Sequence, residues 1–434
     1  MSNDAALNYL HSLGMFGIKL GLDNIHTLLQ RVGDPHRRYP VIHVAGTNGK
    51  GSVCSFLGQV YTACGYRVGV YTSPHLECFN ERIRIGDELI PTATVAHLAA
   101  ELRSVAADMQ PTFFELTTAM AMLYFARQEV DLVVLETGMG GRLDATNVVQ
   151  PALSIITAIG YDHAGYLGPT LADIAAEKGG IIKEGVPVVL APQEPEIEAQ
   201  LQNMARRSNA PCYRYGADYR VAQVRGDLHA GLDFNIMTPQ RVWPEMRCSL
   251  PGRHQGENLA VALMAVELME RCGVHIVPTA VAAAAAQVRW PGRLEWLGPS
   301  SSAALPGRVL LDGAHNAAGM TALHHYLEEL GVQSVHWVGG FKHDKAAEHM
   351  VTLLRGRARK LYAVAPPVEA AWAPIELAQI ARSHELEAEA FSRIEHALLC
   401  AVNSCRADEI VLVAGSLFLV AQARRILHAY SWGT

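Results

Sequence analysis

The stretch VIHVAGTNGKGS at 41–52 places a glycine-rich turn between an apolar run and a segment of helical composition. A turn of this build lets several backbone N–H groups point at a phosphate beside a helix N-terminus. Lys50 adds a cation for β- and γ-phosphates and Ser52 a hydroxyl, so Gly46 to Ser52 reads as an ATP-binding loop. The spacing departs from the common GxxxxGK[ST]: Val44 stands at the first glycine position, and Gly51 intervenes between Lys50 and Ser52. An ordinary βα turn is the competing reading, and the order of strand, turn and helix weighs against it.

Other polar residues follow apolar runs in the same way. DLVVLET ends near Glu136, whose carboxylate either holds Mg²⁺, directly or through water, or simply closes a solvated strand. The next segment, GMGGRLDATN, is a polar loop with three glycines and one anionic group, Asp144. Loops at strand ends are where open α/β sheets bind ligands. YDHAGYLG carries His163 and AEKGGIIKEG carries Lys178, although a lone histidine or a lysine near a helix C-terminus is more often structural. DGAHN gathers Asp312, His315 and Asn316, with Asn316 also a natural helix N-cap.

These residues need a scaffold, and the patterning supplies an α/β one. VIHVA (41–45), RVGVYT (67–72), DLVVLET (131–137), LSIITAI (153–159) and VPVVLA (186–191) read as strands of a mostly parallel sheet. Helical spacing covers 52–63, 93–109, 116–128 and 170–183, a small β patch spans 217–250, and helices follow near 257–272 and 278–288. Proline, glycine and serine concentrate at 289–308, which sets the expected domains at 1–290 and 308–434 with a hinge or linker at 291–307. Beyond it RVLLDGA, SVHWVGG, KLYAVA and DEIVLVAGS alternate with helices at 316–330, 344–357, 374–384, 393–404 and 416–430, a second and smaller Rossmann-like domain. The alanine run Ala282 to Ala286 is a helix favoured by propensity.

Composition agrees with a two-domain enzyme. The 434 residues exceed one ordinary core, and 50% hydrophobic content can fill two. A net charge of −6 with 18% charged residues offers no basic field for nucleic acid. The eight cysteines include no CxxC pair, which fits a reducing cytoplasm. No signal-like segment and no apolar run of ~18 residues directs the chain to a membrane, so a soluble cytoplasmic protein is expected; a monomer is expected too, although chain length and motifs do not themselves reveal the oligomeric state.

Taken in order, HVAGTNGKGS, TSPHL, ETGMGGRLDATN, DHAGYLG, EKGGIIKEG, WPGRLE, DGAHN and AGSLF resemble the folylpolyglutamate synthase and dihydrofolate synthase family of the Mur ligase superfamily. The resemblance spans nearly the whole chain and implies a P-loop Mur-ligase-like domain followed by a Rossmann-like ligase domain. It implies an ATP-dependent amide ligase that adds L-glutamate to dihydropteroate and to reduced folates, the alternative being a folylpolyglutamate synthase only.

Residue by residue, it implies that Asn48, Gly49, Lys50, Gly51 and Ser52 cradle the ATP phosphates, with Asn258, Arg293 and Asp312 as further ATP contacts that close the two domains together. Ser73, Glu136 and His163 would hold Mg²⁺, and Lys178, carried as a carbamate, would bind a second one; histidine is an unusual ligand for this oxygen-preferring ion. The pterin would lie against Thr112, Phe113, Phe114, Glu115, Leu143, Asp144 and Ala145, and His315 and Ser416 near incoming glutamate or phosphate. Two departures stand out: Ala317 follows GAHN where proline is common, and the lead into Asn258 is longer. A peptidoglycan Mur ligase would need an extra domain of about a hundred residues before the loop, and only 45 precede Gly46. A P-loop kinase would need no second domain, and a non-catalytic ATP-binding module would release no phosphate.

Overall fold

The computed structural model describes Leu10 and residues 21–228, 231–299 and 307–429. The chain divides into two compact units. One comprises the described residues up to Gln223 with Phe234–Arg247 and Gly256–Val288; the other comprises Val224–Asp233, Cys248–Gln255 and the described residues from Arg289 onward.

In the first unit β1 (Val41–Ala45), β2 (Val68–Tyr71), β3 (Ile83–Ile85), β4 (Glu88–Leu89), β5 (Leu132–Glu136), β6 (Leu153–Ile156), β7 (Val188–Leu190) and β8 (Cys212–Arg214) form one sheet, ordered β4-β3-β2-β5-β1-β6-β7-β8. β3 and β4 are antiparallel additions, and the other strands pair in parallel. Every residue of β1 and β5 is buried, as continuous apolar runs must be when helices cover both faces of a parallel sheet. β1 lies between β5 and β6, so the strand order reverses there, and in open α/β sheets such a point places the ligand crevice beyond the carboxyl ends. Register places Val44 beside Glu136 and Ala45 beside Ile156. The segments after β1, β5 and β6 therefore emerge at one edge.

Two helices matter most to that edge. Lys50–Ala63 is buried on almost all sides from Ser52 to Tyr61, which explains why it shows apolar content without a clear polar face. Phe113–Arg127 is likewise buried along most of its length. The helix expected over 170–183 is shorter, Leu171–Gly179: the chain leaves it at Gly180, where a side chain would collide with Arg142. The hairpin β3–β4, the helix Pro195–Arg207 and β8 were outside the sequence reading. The strands among them are too short to establish a periodicity.

Arg220–Asp227 (β9), Gly231–Met237 (β10) and Val242–Cys248 (β11) make a separate three-stranded sheet within the expected β patch. The second unit contains β12 (Glu295–Leu297), β13 (Val309–Asp312), β14 (Val335–Gly339), β15 (Ala358–Ala363), β16 (Ala388–Ala390) and β17 (Ile410–Ala414), ordered β12-β13-β17-β14-β15-β16. All pair in parallel except β12 on β13. Trp337, Phe341, Leu310 and Leu412 belong to its core. β12 falls inside the segment expected as linker, where Trp296 Nε1 donates to Tyr326 Oη at 2.9 Å and Arg424 Nε to Glu295 Oε1 at 2.9 Å. Residues 300–306 of that segment lie outside the described residues. No described helix is long and apolar enough to cross a membrane.

Candidate active site

The loop after β1 is shaped by two glycines with positive φ, Gly46 (+148°) and Gly49 (+92°). A Cβ on Gly46 would run into Thr157 at the end of β6, and one on Gly49 into the Asn258 side chain. Asn258 is thereby seated against the loop although more than two hundred residues separate them in sequence. The amides of Thr47 and Asn48 donate to Ala158 O at 3.0 and 3.1 Å, which fixes the loop to the segment after β6. Gly49 precedes the helix, and no side chain caps it. The first-turn amides of Lys50, Gly51 and Ser52 therefore stand at an uncapped helix N-terminus, the kind of position at which backbone donors can meet an anion. Gly46→Ala is expected to weaken nucleotide binding by at least about tenfold, or ~1.4 kcal/mol, as isothermal titration calorimetry would read.

Two lysines converge on this loop. Lys50 Nζ donates to Gly46 O at 3.0 Å and Thr47 O at 3.2 Å, and Lys178 Nζ donates to the same Gly46 O at 2.8 Å. Lys178 is buried, and burial followed by the charge of Lys50 pushes its pKa down to about 7. Its placement depends on the GMGGRLDATN loop. Arg142 N donates to Glu177 O at 2.7 Å, and the Arg142 guanidinium holds Glu177 Oε1 at 2.7 Å. A Cβ on Gly141 would stand 2.8 Å from the carbonyl oxygens of Glu177 and Lys178, so only glycine allows this approach.

Glu136, at the end of β5, is buried and accepts from Ser73 N at 3.2 Å, which brings together two residues 63 positions apart. His163 adopts a left-handed conformation, φ +53°, uncommon for a residue with a side chain. Its amide donates to Asp162 Oδ1 at 2.9 Å. Such conformations cost energy and cluster at functional sites.

The residues expected to meet a pterin divide into two kinds. Phe113 and Phe114 are partly exposed: Phe114 lies over Gly138 and 6.1 Å from the Tyr71 ring, and Phe113 packs edge-on to Phe79 with the Arg82 guanidinium 5.2 Å above it. Leu143 is half-buried and Ala145 buried in the loop after β5, and Ala145 belongs to the hydrophobic cluster against which both rings pack. Thr112 and Glu115, by contrast, form a capping box, with Glu115 N donating to Thr112 Oγ1 at 3.2 Å and Thr112 N to Glu115 Oε2 at 2.7 Å. Asp144 accepts from Gly138 N, Met139 N and Thr146 N at 2.8–3.0 Å and from Thr146 Oγ1 at 2.5 Å. These three polar side chains hold the frame of the wall.

Thr112→Ala is expected to cost ~1 kcal/mol of unfolding free energy through the lost cap, read by urea denaturation. Asp144→Ala leaves the buried Thr146 amide without its acceptor, at roughly 1–3 kcal/mol, and removes the acceptor of the half-buried Gly138 and Met139 amides as well; it is expected to slow turnover of every acceptor rather than of one.

In the second unit Asp312 ends β13 beside Ala414 of β17, and Gly415 N donates to Ala314 O at 2.9 Å. The DGAHN and AGS loops are therefore neighbours. Asp312 accepts from Leu294 N at 2.8 Å and Ala314 N at 2.9 Å; burial raises its pKa, while Arg293 opposes that shift. Arg293 Nη1 lies against Gly313, where a Cβ would stand 2.8 Å from it. His315 Nδ1 is 2.7 Å from Gly313 O, Asn316 caps the helix Ala317–Glu329 through Gly319 N, and Ser416 Oγ accepts from Phe418 N at 3.2 Å. Arg142, Thr157 and Asp162 carry no site signal of their own in the sequence. Each stands within or next to a segment that does, so proximity to GMGGRLDATN and DHAGYLG was the available signal.

Residues 44–266 match the Mur ligase middle domain, and residues 292–417 match the Mur ligase, glutamate ligase domain. The dihydrofolate synthase/folylpolyglutamate synthase of Bacillus subtilis is 35% identical over 436 aligned residues, covering 97% of this chain and 98% of that one. The crystal structure of Mycobacterium tuberculosis folylpolyglutamate synthase complexed with ADP and AMPPCP superposes with a TM-score of 0.89 at 30% identity, covering 98% of this chain and 99% of that one. The Escherichia coli FolC in complex with DHPP and ADP superposes at 0.88, with 30% identity and 98% of each chain covered.

Proposed function

Because the chain belongs to the dihydrofolate synthase/folylpolyglutamate synthase family of Mur ligases, we propose that it joins L-glutamate to dihydropteroate and to reduced folates at the expense of ATP. The observation that carries this reading is the convergence of Lys50 and Lys178 on Gly46 O, at the carboxyl edge where Glu136, Ser73 and the first-turn amides also lie.

The residues fit the groups this chemistry requires. The glycine cradle that a Cβ would fill suits the ATP phosphates. Ser73 and Glu136 offer the oxygen donors that Mg²⁺ prefers, His163 would add a nitrogen, and Lys178 fits a second Mg²⁺ once it is carbamylated. Bound there, Mg²⁺ would neutralise charge on the transferred phosphoryl group. Lys50 and the amides of Gly49, Gly51 and Ser52 hold the β- and γ-phosphates in line with the acceptor carboxylate, with Asn48 and Asn258 shaping the loop. Phe113, Phe114, Leu143 and Ala145 orient the pterin, and the frame made by Thr112, Glu115 and Asp144 keeps them in place.

A carboxylate oxygen of the acceptor attacks the γ-phosphorus, ADP leaves, and an acyl phosphate results. The glutamate amine then attacks the acyl carbon, and the tetrahedral intermediate collapses to the amide and phosphate. Arg293 and Asp312 serve the nucleotide in this reading, and His315 and Ser416 the glutamate and the departing phosphate. Residues 1–290 act as the ATP- and pterin-binding domain and 308–434 as the ligase domain, joined by 291–307. The protein works as a monomer in the cytoplasm.

Incubation with ATP, Mg²⁺, glutamate and either dihydropteroate or tetrahydrofolate, followed by mass analysis, tests the reading. One added glutamate on each acceptor is expected. Addition to tetrahydrofolate alone would leave a folylpolyglutamate synthase only, and addition to neither would overturn the assignment.

A further inference from the structure

A second cluster of donors lies in the second unit, at the end of its sheet opposite the DGAHN and AGS loops. His336 is the second residue of β14, Glu409 immediately precedes β17, and Cys405 closes the helix Ile394–Ser404. One ligand atom from each, the imidazole nitrogen, the thiol sulfur and a carboxylate oxygen, lies within 4.8 Å of the other two. His336 and Glu409 are buried, and Cys405 is half-buried, which gives an ion a route in. We propose that His336, Cys405 and Glu409 form a binding site for a borderline divalent cation of the Zn²⁺ class.

The donor set decides the class. Nitrogen, sulfur and oxygen together suit zinc, whereas Mg²⁺ takes oxygen ligands in an octahedron and would not choose a thiolate. His336 Nε2 and Glu409 Oε2 are 3.1 Å apart, a separation that two ligands ~2.0–2.1 Å from a tetrahedral ion nearly reproduce. The other imidazole nitrogen, Nδ1, is 3.0 Å from Tyr362 Oη. That contact is the outer hydrogen bond that ligating histidines almost always make, and it orients Nε2 toward the cluster. Arg359 pairs with Glu409 Oε1 at 2.9 Å, the oxygen away from the histidine, and so steadies the carboxylate without occupying Oε2. Arg406 N also donates to Oε2, at 3.0 Å. Solvent would complete a four-coordinate ion on the Cys405 side. The ion would tie β14 to the turn leading into β17, and it would be structural, since none of its ligands is among the residues assigned to the ligase reaction.

The test is titration of the metal-free full-length protein with Co²⁺, a spectroscopic stand-in for Zn²⁺. About one equivalent is expected to bind with a near-ultraviolet thiolate-to-cobalt charge-transfer band and the visible bands of tetrahedral cobalt, and Zn²⁺ is expected to displace both. Cys405→Ser should abolish the charge-transfer band, whereas Cys400→Ser, which removes an exposed thiol on the same helix, should leave it intact. Circular dichroism confirms that both variants are folded. Absence of the band in the unaltered protein, or its survival in Cys405→Ser, would overturn the proposal.

Discussion

Lys50→Ala is expected to lower ATP turnover by about 10²–10³-fold with either acceptor, with the fold preserved. The ammonium is partly exposed and its partners within the chain are two carbonyls of its own loop, Gly46 O and Thr47 O. Removing it leaves no buried charge unpaired and takes little from the core. On the proposed mechanism, what is lost is a fixed positive charge at the phosphates, where negative charge develops as the γ-phosphoryl group departs. Steady-state phosphate release with each acceptor, beside a thermal melt, checks both halves. Near-normal turnover by a folded variant would remove the loop from the mechanism.

The second large effect is expected at Lys178. A protonated amine that shares Gly46 O with Lys50 is a poor neighbour for Mg²⁺, because it adds a second positive charge to the site. With a pKa pushed down to about 7, a large fraction of the amine is neutral near physiological pH. Only the neutral amine can add CO₂ and become an anionic carbamate. Activity should therefore rise with pH through about 7 and depend on bicarbonate, whereas a role for the ammonium itself would give the reverse slope. Lys178→Ala is expected to lose turnover by more than about a hundredfold, or ~2.7 kcal/mol, and to recover part of it with added acetate as a replacement carboxylate. Full activity without rescue, or indifference to bicarbonate in CO₂-depleted buffer, would rule the carbamate out.

Much of the candidate site's frame was legible in the sequence, because its parallel strands are uninterrupted apolar runs and the candidate residues sit just past their ends. β1 has the boundaries its run suggested, and Glu136 falls on the last residue of β5. What the runs could not reveal is which long-range pairs close the loops. The Lys178 bond to Gly46 O spans 132 positions, and the approach of Asn258 to Gly49 spans more. Polar residues near a ligand wall were also ambiguous, since a carboxylate that faces a substrate and one that faces backbone amides look the same in sequence. Asp144 accepts from the backbone amides of Gly138 and Met139, which its sequence context did not foretell. Thr112 and Glu115 could have been recognised, because a threonine followed three residues later by glutamate at a helix start is the capping-box signature. β12 was hidden by the proline- and glycine-rich composition around it, being only three residues long and held by pairing with β13.

In the proposed reaction the acceptor carboxylate is activated as an acyl phosphate. Dihydropteroate labelled with ¹⁸O in its carboxylate, incubated with the enzyme, ATP, Mg²⁺ and glutamate, tests it most directly. Attack of the carboxylate on the γ-phosphorus leaves one of its oxygens bonded to phosphorus, and collapse of the tetrahedral intermediate releases that oxygen with the phosphate. Mass analysis should therefore find one ¹⁸O in inorganic phosphate for each amide formed. Label in AMP would indicate an acyl adenylate, and unlabelled phosphate would mean that the carboxylate never attacks phosphorus; either result would contradict the account.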